Sequence, residues 1–349
     1  MRLDLSLGYW GSGAPAGWLE LVREAERLGF GVVWAAEAYG SDAVSVLCWA
    51  AAHTERIGVG SAVLQIPART PAMTAMTAGT LDALSGGRFR LGLGVSGPQV
   101  SEGWHGVPFD PPLARTREYA DIVRLALSRQ PVEYAGEHYR LPLPGGRGKA
   151  LKLTLRPLRA GIPLYLAAVG PRNLELAGEI ADGWLAIFYA PEHAATDHAR
   201  INAGQARAGR ADEDFDVVAT VPIVVGADHE TAGEPVRRYA ALYLGGMGSR
   251  TRNFYSALAR RRGYQREVAE VQERYLAGEP AAAAAAVPQR FLDETALLGD
   301  RERIADRMAA YAESGVTSLA LSPLAATLPG RIAAIRLAVE ALDLAGVAE

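Results

Sequence analysis

Short apolar runs of β type alternate with helix-period segments along nearly the whole chain, and this alternation limits the fold more than any other feature. Leu3 to Gly8 reads as a first strand. Trp18, Leu21, Val22, Ala25 and Leu28 then recur at helical spacing, and Gly29 closes that helix. Gly31 to Ala36 reads as a buried second strand, Asp42 to His53 as a helix capped by Asp42, and Ile57 to Val63 as a third strand. Pro71 opens a third helix, which stops at Leu84-Ser85-Gly86-Gly87 before a fourth strand from Arg88 to Leu93. Strands linked by helices through connections this short must run parallel.

Residues 130–162 break the rhythm with prolines and glycines, around a hairpin predicted at Tyr134 to Leu141. Strands resume at 163–167, 183–188 and 215–225, and a helical stretch covers 230–298. A helix capped at Asp300, a strand at 318–321 and a final helix after Pro329 end the chain. In that last helix Ile332, Ile335, Val339 and Leu342 form one apolar stripe. Eight strands alternating with helices predict the α/β class and closure into a single (β/α)8 TIM barrel over residues 1–349, with insertions at about 130–162 and 230–298. An open doubly wound sheet is the competing arrangement.

Composition removes several function classes. The 36 basic and 39 acidic residues leave a formal net charge of −3, which provides no general field for nucleic acid or an anionic membrane. No run of 18 apolar residues predicts a membrane span, and the alternating N-terminus is unlike a signal peptide. Cys48, the one cysteine, has no internal partner for a disulfide. The expectation is a soluble cytoplasmic protein that acts on a small-molecule substrate, with neither nucleic acid nor membrane as a partner.

Four stretches carry candidate chemistry. Gly92-Leu93-Gly94-Val95-Ser96-Gly97 has the spacing of a dinucleotide-binding glycine loop, but Pro98 follows and the next helix is expected only near Pro112. The better reading puts Gly94 to Gly97 at a strand's C-terminal end, where a flat cofactor can approach the backbone. Ala167 to Asn173 places a strand end, Gly170 and Pro171 directly ahead of a helix, so backbone N–H groups and the helix dipole would face a phosphate. Glu37 ends the second strand, where its carboxylate could accept hydrogen bonds from a ligand. Trp104 and His105 lie in a Gly/Pro-framed aromatic loop after strand four. His193 and His198 are five residues apart and share no helical face, so no metal site is expected.

Taken together, Trp34 to Asp42, Ile57 to Pro71, Leu81 to Phe89, Leu91 to Pro98 and Ala167 to Trp184 resemble the bacterial luciferase-like superfamily of flavin and deazaflavin oxidoreductases. The resemblance is closest to the branch that uses coenzyme F420, an 8-hydroxy-5-deazaflavin, in place of FMN. It implies a barrel with the cofactor ring at the C-terminal mouth, and relatives of this kind imply a homodimer or larger homo-oligomer. Ser61-Ala62-Val63 would form a bulge beneath the ring, with a non-prolyl cis peptide at Ala62–Val63. Gly94, Ser96 and Gly97 would lie along the ring or its ribityl chain, and Ala168, Val169, Gly170 and Pro171 would frame the phosphate. Many relatives carry Asp-His at the end of strand two, where this chain has Glu37-Ala38. Glu37 keeps the acidic cofactor-side position, and Tyr39, Trp104 and His105 are the nearest substitutes for the missing histidine. The function implied is hydride transfer between F420 and a small, largely apolar organic substrate. The alternatives are an FMN-dependent monooxygenase and a cofactor-binding barrel without turnover.

Overall fold

Parallel strands can close on themselves only if the last pairs with the first, and here it does. A computed structural model describes residues 1–226 and 228–348. Its barrel strands are β1 Arg2–Ser6, β2 Val32–Ala35, β3 Gly58–Ser61, β4 Phe89–Gly94, β5 Leu164–Ala167, β6 Gly183–Ile187, β7 Asp216–Val225 and β8 Ser318–Pro323. Each pairs in parallel with its chain neighbour, and β8 pairs with both β7 and β1, with Leu3 opposite Leu319. The predicted (β/α)8 barrel is therefore the observed architecture.

Around the barrel lie α1 Trp18–Arg27, α2 Ala43–Ala52, α3 Pro71–Leu84, α4 Pro112–Leu127, α5 Pro171–Ile180 and α6 Ala194–Arg207. The second half adds α7 His229–Ala241, α8 Phe254–Arg261, α9 Gln265–Leu276, α10 Arg301–Glu313 and α11 Leu328–Ala345. The helices start where short polar side chains satisfy otherwise unpaired N–H groups. Asp42 accepts from Ser45 N at 2.8 Å, Thr70 from Met73 N at 3.2 Å and Asp300 from Arg303 N at 3.0 Å. The hairpin expected in 130–162 forms from Tyr134–Ala135 and Arg140–Leu141.

Two expectations need correction. A one-turn helix, Pro98–Ser101, begins directly after Gly97, well before Pro112. Proline at the first helical position has its φ preset for a helix, so Pro98 starts a turn rather than preventing one. The 230–298 stretch is helical until its end, where Leu297–Gly299 forms a short strand beside Ile223 to Val225. Three residues are too few to show a period.

The lumen is packed with side chains rather than open. Trp34 is 1% exposed and meets Tyr165 edge-on, with ring centroids 5.3 Å apart. Gly60 is a glycine because a Cβ there would lie 2.4 Å from the Trp34 ring. Below Trp34, Asp4 is fully buried and accepts from Trp34 Nε1 at 2.8 Å and Val32 N at 3.0 Å. Burial pushes the Asp4 carboxyl up to about 6, although Trp34, Arg2 and Arg90 pull in the other direction. The folded barrel thus holds this proton more tightly than the unfolded chain does. The stabilisation is complete in acid and is lost as pH rises from the ordinary 3.8 towards about 6. Denaturant unfolding at pH 4 and pH 7 should show the wild type losing roughly 2 kcal/mol relative to Asp4→Asn over that interval. A pH-independent difference would remove Asp4 as the titrating group.

Candidate active site

Beyond Trp34 the strand ends build a floor. The register between β3 and β4 runs Val59 opposite Phe89 and Gly60 opposite Arg90, and it resumes with Leu64 opposite Leu93 and Gln65 opposite Gly94. Residues 61–63 therefore face only Leu91 and Gly92, a bulge of one residue. The buried Ser61 hydroxyl closes the gap, donating to Gly92 O and accepting from Gly92 N, both at 2.9 Å. The Ala62–Val63 peptide is cis, as the resemblance implied. Ser61 thus holds the bulge from below and has no surface to offer a ligand, whereas Ala62 and Val63 lie at the top of the lumen packing. A Cβ on Gly94 would lie 2.5 Å from Val63 Cγ2, so the bulge and the end of β4 make one close-set surface. Ser96 continues it with φ of 60°.

Glu37 sits beside this floor and is not free to meet a ligand. Its side chain is 5% exposed. Arg69 spans both oxygens at 2.6 and 2.7 Å, Ala43 N donates to Oε1 at 3.1 Å, and Gln65 N donates to Oε2 at 3.2 Å. Four donors fill the acceptor sites of an ionised carboxylate. The expectation that Glu37 accepts from a ligand is therefore corrected: its capacity is spent on the loop that carries Arg69.

Gln65 links this ion pair to the histidine. Its Nε2 donates to Glu37 O at 3.4 Å and Ser96 Oγ at 3.2 Å, which turns Oε1 towards His105 Nε2 at 3.0 Å. The ring nitrogen facing an amide oxygen must donate, so neutral His105 carries its proton on Nε2 and leaves Nδ1 as an acceptor. Of the four residues nominated for catalysis, Glu37 and His105 are brought into one network. Tyr39 and Trp104 stand apart, 56% and 66% exposed, with Tyr39 facing Tyr9 at 6.5 Å.

Across the mouth, Gly170 caps α5 and Pro171 occupies its first position. Nothing lies within 4 Å of the Cβ position on Gly170, so the approach is open. Ala168 O is held by Trp184 Nε1 at 2.9 Å, and Val169 O by Arg261 Nη2 at 2.8 Å. Arg261 arrives from the 230–298 insertion, and burial draws its pKa down. Arg172 is exposed one residue into the helix.

The same insertion raises an aromatic wall. Phe188, just after β6, meets Tyr239, Tyr243, Tyr255 and Phe291 with centroids 5.3–6.3 Å apart. α7 runs on into a π-helical turn, Leu242–Gly246, whose last two glycines lie flat against Tyr275. Burial pushes the Tyr255 phenol up to about 12 and the Tyr239 and Tyr243 phenols above their ordinary value. The wall is therefore neutral at physiological pH. A cleft of about 480 Å³ outside the barrel is lined by Glu192, Arg290, Asp293, Arg303 and Arg307. Its charges satisfy one another, Arg307 with Glu192 at 2.5 Å and Arg303 with Asp293 at 2.9 Å. Among the described residues no group of acids, histidines and cysteine is placed to hold a metal.

The sequence reading missed Gln65, Arg69 and Arg261. Arg69 is a lone cation in the loop before Thr70-Pro71, a usable signal, but its partner lies 32 residues away. Nothing in the sequence connects Arg261 to Val169.

Comparison with known proteins agrees with the architecture. The luciferase-like monooxygenase family profile matches residues 6–318. A Mycobacterium tuberculosis protein provisionally named a coenzyme F420-dependent oxidoreductase is 47% identical over 329 residues, 92% of this chain and 95% of its own. A 5,10-methylenetetrahydromethanopterin reductase of Archaeoglobus fulgidus is 29% identical over 85% of this chain and 86% of its own. Among solved structures, the coenzyme F420-dependent tetrahydromethanopterin reductase of Methanopyrus kandleri superposes with a TM-score of 0.81 at 25% identity, covering 97% of this chain and 98% of that one. A closed parallel barrel and a family match that runs through nearly all its strands place this chain in the luciferase-like monooxygenase family.

Proposed function

We propose that this protein is a coenzyme F420-dependent oxidoreductase that transfers hydride between the deazaflavin and a small, largely apolar organic substrate. The observation that carries the reading is the 47% identity, over 92% of the chain, to a protein named for F420 dependence. The site geometry is compatible with such a group. The bulge at 61–63 and the tightly packed Gly94 supply a floor for a flat ring, and the open N-terminus of α5 supplies a place for a phosphate. When bound, F420 would supply the hydride chemistry, and the protein's task is placement, water exclusion and proton handling.

On this reading Ala62, Val63, Gly94, Ser96 and Gly97 hold the ring side. Ala168, Val169, Gly170 and Pro171 hold the phosphate side, with Arg261 adding positive charge. The aromatic wall of Phe188, Tyr239, Tyr243 and Tyr255 borders the substrate space and favours apolar molecules. His105 Nδ1 takes or returns the proton that accompanies hydride transfer. Glu37 and Arg69 act through Gln65 as positioning residues, and Tyr39 and Trp104 form an outer aromatic rim.

Titrating the protein with F420 and FMN, followed by absorbance and affinity, tests the cofactor. F420 should bind the more tightly, and Arg261→Met should weaken it by roughly 10–100-fold through loss of a charged hydrogen-bond donor. Tight FMN binding with oxygen consumption would favour a monooxygenase instead. His105→Ala should lower kcat by roughly 10²–10⁴-fold with cofactor affinity unchanged. A loss of affinity at constant kcat would make His105 a binding residue. Arg69→Met leaves the Glu37 carboxylate buried without its partner and should cost about 3–5 kcal/mol in denaturant unfolding. The pair Glu37→Gln with Arg69→Met should recover much of that loss.

A further inference from the structure

The near-neutral charge of the whole chain conceals a strong local excess. From His138 to Leu174 there is no acidic residue, while Arg140, Arg147, Lys149, Lys152, Arg156, Arg159 and Arg172 all fall in that interval. Both lysines of the protein are among them. Arg159 is used internally, its guanidinium bonding the buried Asp82 and the carbonyl of Phe89. Arg147, Lys149, Lys152 and Arg156 are exposed, and no side chain among the described residues pairs with them.

The chain here is fixed in place, and its exposure pattern is regular. Val132 N donates to Leu151 O at 2.9 Å and Arg129 Nε to Leu153 O at 3.3 Å, while Leu155 packs over Gly79 of α3. Between Lys152 and Ala160, even-numbered residues face out and odd-numbered ones turn in. Lys152, Arg156 and Leu158 therefore share one outward face, as alternation in an extended segment requires. Leu143, Leu151 and Leu158 are 73%, 70% and 60% exposed. Leu158 thus stands on the same face as Lys152 and Arg156, and Leu143 and Leu151 are exposed in the same segment. The contacts of the adjoining Arg159 with Asp82 at the end of α3 and Phe89 at the start of β4 put this end of the segment at the amino-terminal end of the barrel, opposite the mouth.

We propose that the 143–158 surface docks the enzyme peripherally on a membrane rich in anionic lipid. The four unpaired cations match acidic headgroups, and the leucines enter the interfacial layer between them. Residues 142–160 contain no aromatic side chain on which bases could stack, so nucleic acid is the poorer match. Docked this way, the barrel mouth faces the aqueous side. Among the described residues no helix is long and apolar enough to cross a membrane.

Co-sedimentation of the full chain with vesicles tests the proposal. Vesicles of phosphatidylcholine with phosphatidylglycerol should bind the protein at low salt and release it as salt rises, and pure phosphatidylcholine should not bind it. Lys149→Glu, Lys152→Glu and Arg156→Glu together should weaken the partition by at least ~100-fold, at about 1 kcal/mol per cation. Leu151→Ser with Leu158→Ser should weaken it less and leave the salt dependence in place. Thermal melts and cofactor binding of these variants should match the wild type, because the residues are exposed and distant from the mouth. Equal binding to both vesicle types, retention by the charge-reversed variant, or binding to RNA but not to anionic vesicles would overturn the assignment.

Discussion

Eight parallel strands bonded in a ring leave a lumen with room for side chains and little else, and the filling of that lumen governs the rest of the structure. Trp34 and Tyr165 block it at mid-height, and Asp4, Arg2 and Asp216 form a polar floor beneath them, which the Tyr165 hydroxyl reaches by donating to Asp216. A ligand cannot enter such a barrel and must bind above the strand ends. The shape of those ends therefore matters more than the walls. The one-residue bulge between β3 and β4 is where the regular ladder gives way to a surface with its own contour.

That surface is supported by polar contacts rather than by packing alone. Ser61 replaces the interrupted ladder bonds, while Arg69 and Glu37 fix the loop leading into α3. Gln65 joins the two regions and orients His105. Each group is held by another that is itself held, which is how a site keeps its geometry to within fractions of an ångström. A buried ion pair is a weak source of net stability, so the Arg69–Glu37 pair is better understood as a device for fixing position.

Much of the fold was legible because each barrel strand is a short apolar run bounded by glycine, proline or a helix cap. The eight strands and the principal barrel helices appear where periodicity places them. Leu297–Gly299 was missed because three residues carry no period, and the Pro98 turn because proline was read as a break instead of a start. Of the candidate site, the backbone-defined parts were visible, since glycines and the Gly170-Pro171 turn mark themselves in sequence. The side-chain partnerships were not. Glu37 looks like a free carboxylate until Arg69, 32 residues on, is seen to cover it. Arg261 reaches Val169 from 92 residues away, by a route only the folded chain defines.

The scarcity of lysine has a practical corollary. With Lys149 and Lys152 as the only side-chain amines, amine-directed coupling can address this protein at one loop and at its N-terminus, where the Met1 amino group is bonded to Val347 O at 2.7 Å. A dye or solid support attached through that loop would orient every molecule alike, with the mouth pointing away from the point of attachment. Arginine-rich composition, unremarkable as a statistic, thus confines the side-chain amines to one short segment at the end opposite the candidate active site.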